Sequence, residues 1–162
     1  MLNKLITAAL AAASIALPVS ATIQPGTTSL IETVSESLNV VINDGSCSPG
    51  VAGSYQLSTK TLTLCPGTDI VADDHDTVRH EVWHAVQHCL TEDISKGLEP
   101  VVAKSTDDWW ELIGSNLSLK TASWIHESYP KSHWDVEYEA FVMASTLTSS
   151  EIETVFIQAC VD

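Results

Sequence analysis

Apolar residues recur along the chain with two periods, and the change from one to the other marks the elements. Leu30, Ile31, Val34 and Leu38 share one helical face, which predicts a helix over about 28–38, with Ser29 and Glu32 at capping-box spacing. N-V-V-I-N (39–43) reads as a strand stopped by Asn43, Asp44 and Gly45, and 47–53 reads as a loop. Residues 54–65 read as two short strands around Ser58-Thr59-Lys60, with Leu62 and Leu64 alternating in the second. Pro66 and Gly67 break the chain, and a helix is expected to start near 71–74, with Val78, Val82, Ala85, Val86 and Cys89 as its apolar stripe. A polar loop over 91–100 ends it. Further helices are expected from Ser105, which stands with Asp108 in a capping pattern, over 122–129 up to Pro130, over 134–146 and over 149–160. Strands grouped before a run of helices predict an α+β domain with a small sheet.

The first 21 residues stand apart from this pattern. Lys4, an apolar run over 5–17 and the small residues Val19, Ser20 and Ala21 have the layout of a secretory signal peptide cut after Ala21, leaving 22–162 as a single domain. A membrane anchor is the competing reading, but the run is short for a span and no basic stop follows it. The expectation is therefore a secreted or periplasmic chain without stable membrane insertion once the leader is removed. Four cysteines remain in the mature part, and an even count in an exported chain favours two disulfides. Of three possible pairings, a local Cys47–Cys65 bridge across the strand segment leaves Cys89 with Cys160. A cysteine metal site is disfavoured because no C-x-x-C spacing occurs. With 21 acidic against 7 basic residues, the surface repels phosphate backbones and argues against a nucleic-acid partner.

The chemistry concentrates in T-V-R-H-E-V-W-H-A-V-Q-H-C-L (77–90). Residues four apart on a helix lie on one side, so His80 and His84 can aim ring nitrogens at one ion. Glu81 is turned about 100° from His80 and can act on water without taking a coordination position. Val78, Val82, Ala85 and Cys89 fall roughly opposite His80, so one side can pack while the other meets a cleft. The competing reading is a helix whose histidines hold nothing. His88 has drifted about 80° around the helix from His80 and is a poor third ligand. Arg79 has no evident role and defaults to exposed surface.

Catalytic zinc takes three protein ligands and leaves a place for water. The metzincin extension is excluded, because Gln87 and Leu90 occupy its glycine and histidine places. W-D-V-E-Y-E-A-F-V-M-A (134–144) offers Glu137 or Glu139, which point about 200° apart and cannot both face one ion. Glu137 shares a face with Ala140, Phe141 and Ala144, and a carboxylate in an apolar face needs a partner such as a cation. Glu139 is better placed to face outward or to hold a ligand histidine from behind. Glu137 is thus favoured, with His126 and His133 as the remaining candidates. Tyr129, His126, Tyr138 and His133 are candidates for stabilising an oxyanion, and an edge strand near Leu62–Leu64 is a candidate for aligning an extended peptide.

H-E-V-W-H-A-V-Q (80–87) followed by E-Y-E-A-F-V-M-A (137–144) resembles the gluzincin type of zinc metallopeptidase. It resembles in particular small exported metallopeptidases with a strand and a cysteine before the helix and a cysteine near the C-terminus; the likeness covers about 55–160. It implies a zincin-like fold, Zn²⁺ on His80, His84 and Glu137, Glu81 as base, and a peptide or protein substrate. Position 141 is Phe where several gluzincin groups have Asp. The alternative, from a different class, is an exported, disulfide-stapled metal-binding or interaction domain without turnover.

Overall fold

The computed structural model describes residues 26–42, 47, 48, 51–65 and 75–161. The expected leader, the Asn43–Gly45 stop and the proposed helix start at 71–74 lie outside these residues. The element order is α1 (Gly26–Ser35), β1 (Asn39–Ile42), β2 (Gly53–Gln56), β3 (Thr61–Leu64), α2 (His75–Leu90), α3 (Asp107–Asn116), α4 (Leu119–Ser128), α5 (Trp134–Thr146) and α6 (Ser149–Cys160). A small sheet followed by helices makes this an α+β domain, as the pattern predicts.

The sheet has three strands in the order β1-β3-β2. β1 runs parallel to β3, pairing Val40 with Leu62, and β2 runs antiparallel, pairing Tyr55 with Leu62. A 3₁₀ turn over Leu57–Thr59 joins β2 to β3, and Lys60 closes it in the left-handed conformation at φ 49°. Leu62 and Leu64 alternate as expected, and both are fully buried. Their strand is the central one, however, with both edges already hydrogen-bonded. It therefore cannot receive a peptide by strand addition; among the described strands the outer edges belong to β1 and β2.

α2 runs through the middle of the molecule. It packs against α5 and α6 and against β2. Val78, Val82, Ala85 and Val86 are buried as expected, but Cys89 is exposed and does not belong to that core stripe. Burial is not confined to the apolar side: Arg79, His80, Glu81, His84 and Gln87 are buried too. Polar side chains in such a place must be paired. Arg79 is far from exposed; its Nε donates to the Ala144 carbonyl at 2.7 Å, near the C-terminal end of α5 where a cation is electrostatically favoured.

Side-chain caps set the starts of α3, α4 and α6, and the starts of α1, α3 and α4 differ from expectation, α4 beginning at Leu119 ahead of 122. α1 begins at Gly26, so Ser29 is inside the helix, where its hydroxyl donates to Glu153 of α6 instead of capping. α3 is capped by Thr106, which accepts from Trp109 N, because its side chain and not that of Ser105 meets the free amide. Ser118 caps α4, and Thr148 with Glu151 forms a full capping box on α6. α5 and α6 have the expected bounds.

Both expected disulfides are present, Cys47–Cys65 beside the sheet and Cys89–Cys160 between the ends of α2 and α6. Such bridges fit a non-reducing, exported environment. No helix among the described residues is long and apolar enough to cross a membrane. The second bridge spans 71 residues of sequence and ties the last helix to the central one. Replacing Cys89 and Cys160 together with Ala should lower unfolding free energy by about 2–4 kcal/mol, read as a fall in the denaturant midpoint. An unchanged midpoint would mean that helix packing alone holds α6 in place.

Candidate metal centre

His80 and His84 occupy successive turns of α2, and Glu137 faces them from the first turn of α5. All three are buried, and one ligand atom from each lies within 4.8 Å of the others. His80 Nε2 is 3.0 Å from His84 Nε2 and 3.2 Å from Glu137 Oε2, while His84 Nε2 is 3.6 Å from Glu137 Oε1. Tetrahedral ligands at ordinary zinc bond lengths stand about 3.3–3.4 Å from one another, so the three edges suit a single small cation. Glu137 Oε2 is buried with the His80 ring nitrogen 3.2 Å away but with no well-directed hydrogen bond, a state that a cation between the ligand atoms would relieve. The group could therefore hold a metal ion.

The electrostatics agree. Burial raises the cost of a charge on Glu137, but hydrogen bonding to His80 and His84 outweighs it and brings its pKa down to about 2. Burial works against a proton on His84, but the Glu137 hydrogen bond and the Glu81 and Glu137 charges prevail and raise its pKa to about 9. Glu137 and Glu81 thus favour positive charge on His84 at one buried point. Glu81 is pushed upward, first by burial and then by Glu137, against the lowering influence of His80, His84 and the Tyr55 backbone N–H. The shift moves it toward the range of a general base.

β2 reaches α2 closely enough for this because Gly53 lacks a side chain. A Cβ there would come within 2.8 Å of Thr77 Cγ2 and 3.0 Å of Glu81 Cγ. Residues Val51 to Gly53 form one side of a cleft of about 920 Å³, onto which His80, Glu81 and Tyr129 open. Leu117, Trp124 and Phe141 supply an apolar side, with Trp124 edge-on to Phe141 at 5.5 Å.

The other sequence candidates separate. Tyr129 lines the cleft near Glu137 and Glu81; burial, then those two charges, raise its pKa and keep its hydroxyl protonated. His126 is exposed, stacks on Trp134 at 3.8 Å and hydrogen-bonds Tyr138, so neither His126 nor Tyr138 is among the cleft-lining residues. His133 is exposed in the 3₁₀ turn before α5 and also lies off the cleft lining. His88 stays out of the ligand group and hydrogen-bonds Tyr55 Oη through Nδ1 at 2.8 Å; burial raises the tyrosine pKa to about 12 and lowers that of the histidine. Glu139 does not face outward. It is fully buried and accepts from Trp83 Nε1, Gln87 Nε2, Val101 N and Val102 N at 2.8–3.0 Å.

Sequence reasoning missed Gln87 and Gly53. Gln87 carried a signal, since three residues after His84 on a helix is the same side. Gly53 carried none, because the close approach of β2 to α2 is a tertiary fact. No protein-family model, curated protein or solved structure matches this chain, and the site's own chemistry carries the functional reading.

Because His84 must release a proton before Nε2 can coordinate, metal binding should strengthen as pH rises toward its pKa of about 9. Glu137, with its pKa near 2, is already ionised throughout. Zinc affinity measured by chelator competition should rise about tenfold per pH unit from about pH 6, then level off above the His84 pKa. A flat profile would show that His84 is not a ligand.

Proposed function

We propose that the chain is an exported zinc metallopeptidase of gluzincin type with a zincin-like arrangement, hydrolysing peptide bonds in a peptide or protein substrate. The observation that carries this reading is the convergence of His80, His84 and the buried Glu137 oxygen, with Glu81 beside them on the cleft wall. The donor set of two imidazoles and one carboxylate is the kind that catalytic zinc takes. A zinc ion held there would polarise the scissile carbonyl and lower the pKa of water at the site.

The chain's own residues account for the proton movements. Glu81 accepts a proton from water as the water oxygen bonds to the carbonyl carbon, and delivers that proton to the amine nitrogen as the resulting tetrahedral intermediate collapses and the C–N bond breaks. Burial raises the basicity of Glu81, and its contact with the Tyr55 N–H, which works against that rise, holds it in place. Tyr129 remains protonated and donates to the carbonyl oxygen as charge builds there. The cleft offers an apolar side at Leu117, Trp124 and Phe141 to substrate side chains, and the acidic surface favours neutral or cationic peptides. Two disulfides agree with a secreted or periplasmic site of action.

The test is zinc content together with peptide hydrolysis by the oxidised mature chain. Glu81→Gln should keep zinc and lose roughly 10²–10⁴-fold in kcat. Tyr129→Phe should lose about 10²–10³-fold in kcat with little change in zinc affinity. Full hydrolysis by Glu81→Gln would reject the mechanism. A wild-type chain that binds zinc and cleaves nothing in a broad peptide library would instead be a metal-binding domain without turnover.

A further inference from the structure

The two histidines of the metal group are supported very differently. His80 Nδ1 is buried with no hydrogen-bond partner, and its ring lies against the Phe141 ring at 4.3 Å. His84 Nδ1 meets Gln87 Oε1 at 2.8 Å. The orientation of that amide is settled by its other end. Gln87 Nε2 is 3.0 Å from the Val136 carbonyl and 2.9 Å from Glu139 Oε2, and a carbonyl can only accept. The amide nitrogen must therefore face α5, which turns the amide oxygen toward His84. An oxygen there requires a proton on His84 Nδ1, and the lone pair is left on Nε2, the nitrogen facing His80 and Glu137.

Glu139 makes this arrangement rigid. Its carboxylate is fully buried and every one of its partners donates: the Trp83 indole, the Gln87 amide and the backbone N–H groups of Val101 and Val102. Burial pushes its pKa up, and the donors pull against that. Because none of these partners offers an acceptor for a carboxylic proton, the cage is built for the ionised form.

We infer that Gln87, held by Glu139, is a positioning residue that fixes the tautomer and ring orientation of His84 so that Nε2 is presented to a metal ion. The relay runs from the 101–102 backbone through Glu139 and Gln87 to His84, joining the loop before α3, α5 and α2 at one point. His80 has no such support at Nδ1, and its ring is held only by Phe141 and by the His84 and Glu137 contacts of Nε2. The metal group therefore has one anchored ligand and one adaptable one. The inference rests on the metal-site reading and is independent of peptidase turnover.

The test uses the full oxidised chain, ¹⁵N-labelled and loaded with zinc. Long-range ¹H–¹⁵N correlation should show His84 protonated at Nδ1 and coordinated through Nε2. Gln87→Met, close in volume but unable to accept from Nδ1–H, should weaken zinc binding about 10–100-fold. Gln87→Glu, which in its protonated form still accepts from His84 and donates to Glu139, should recover most of that loss. Coordination through Nδ1 overturns the inference, as does a Gln87→Met chain with wild-type zinc affinity or a Gln87→Glu chain that falls equally far. Should Gln87→Met fail to fold, the wild-type nitrogen assignment decides alone. A wild-type chain that takes up no zinc removes the metal centre itself, a different result from zinc bound with the wrong nitrogen.

Discussion

A carboxylate enclosed between two packed helices has to be neutralised where it stands. Glu137 projects from α5 into the contact with α2, where the His80 and His84 rings meet it at 3.2 and 3.6 Å. An isolated buried charge costs several kcal/mol even after the protein relaxes, so the helix pair is favourable only if positive charge is supplied at that point. A proton on His84 supplies it in part, as the opposed shifts of His84 and Glu137 show. A divalent ion would supply it more completely and would also meet the oxygen that has no well-directed hydrogen bond.

That constraint explains why so much polar chemistry sits in the interior of a small domain. Glu81, Arg79, Gln87 and Glu139 are all buried, and each is placed by a contact that the packing makes available. Arg79 meets a carbonyl near the end of α5, Glu81 faces the backbone of β2, and Glu139 gathers N–H donors from α2 and from the loop before α3. The α2–α5 contact thus carries both the fold's central packing and the site. Changes aimed at one will be felt by the other, and a partly satisfied polar network is worse than an apolar one.

The cleft follows from the same arrangement. β2 lies close to α2 because Gly53 leaves room for Thr77 and Glu81, and α4 with α5 closes the other side with aromatic rings. The Cys89–Cys160 bridge holds α6 against the far end of α2. The metal group itself sits on two packed helices, which suits a site that must hold several side chains in fixed relation.

Period and spacing alone determined the α+β order, the helices over 134–146 and 149–160, the alternation of Leu62 and Leu64, and the pairing of His80 with His84 on one helical side. These are local properties, set by 3.6-residue and two-residue repeats within a single element. The same geometry separated Glu137 from Glu139, because residues two apart on a helix cannot face the same way. Only tertiary structure decided that β3 is the central strand, that Arg79 is buried, that Cys89 is exposed, and that Tyr129, not His126 or His133, lies beside the carboxylates. It alone turned Gln87 into a support for His84, since the Val136 carbonyl and Glu139 that orient its amide lie on another helix. Which partner a side chain meets across a helix contact depends on how far apart the axes sit and how they cross, and no repeat within one segment encodes that.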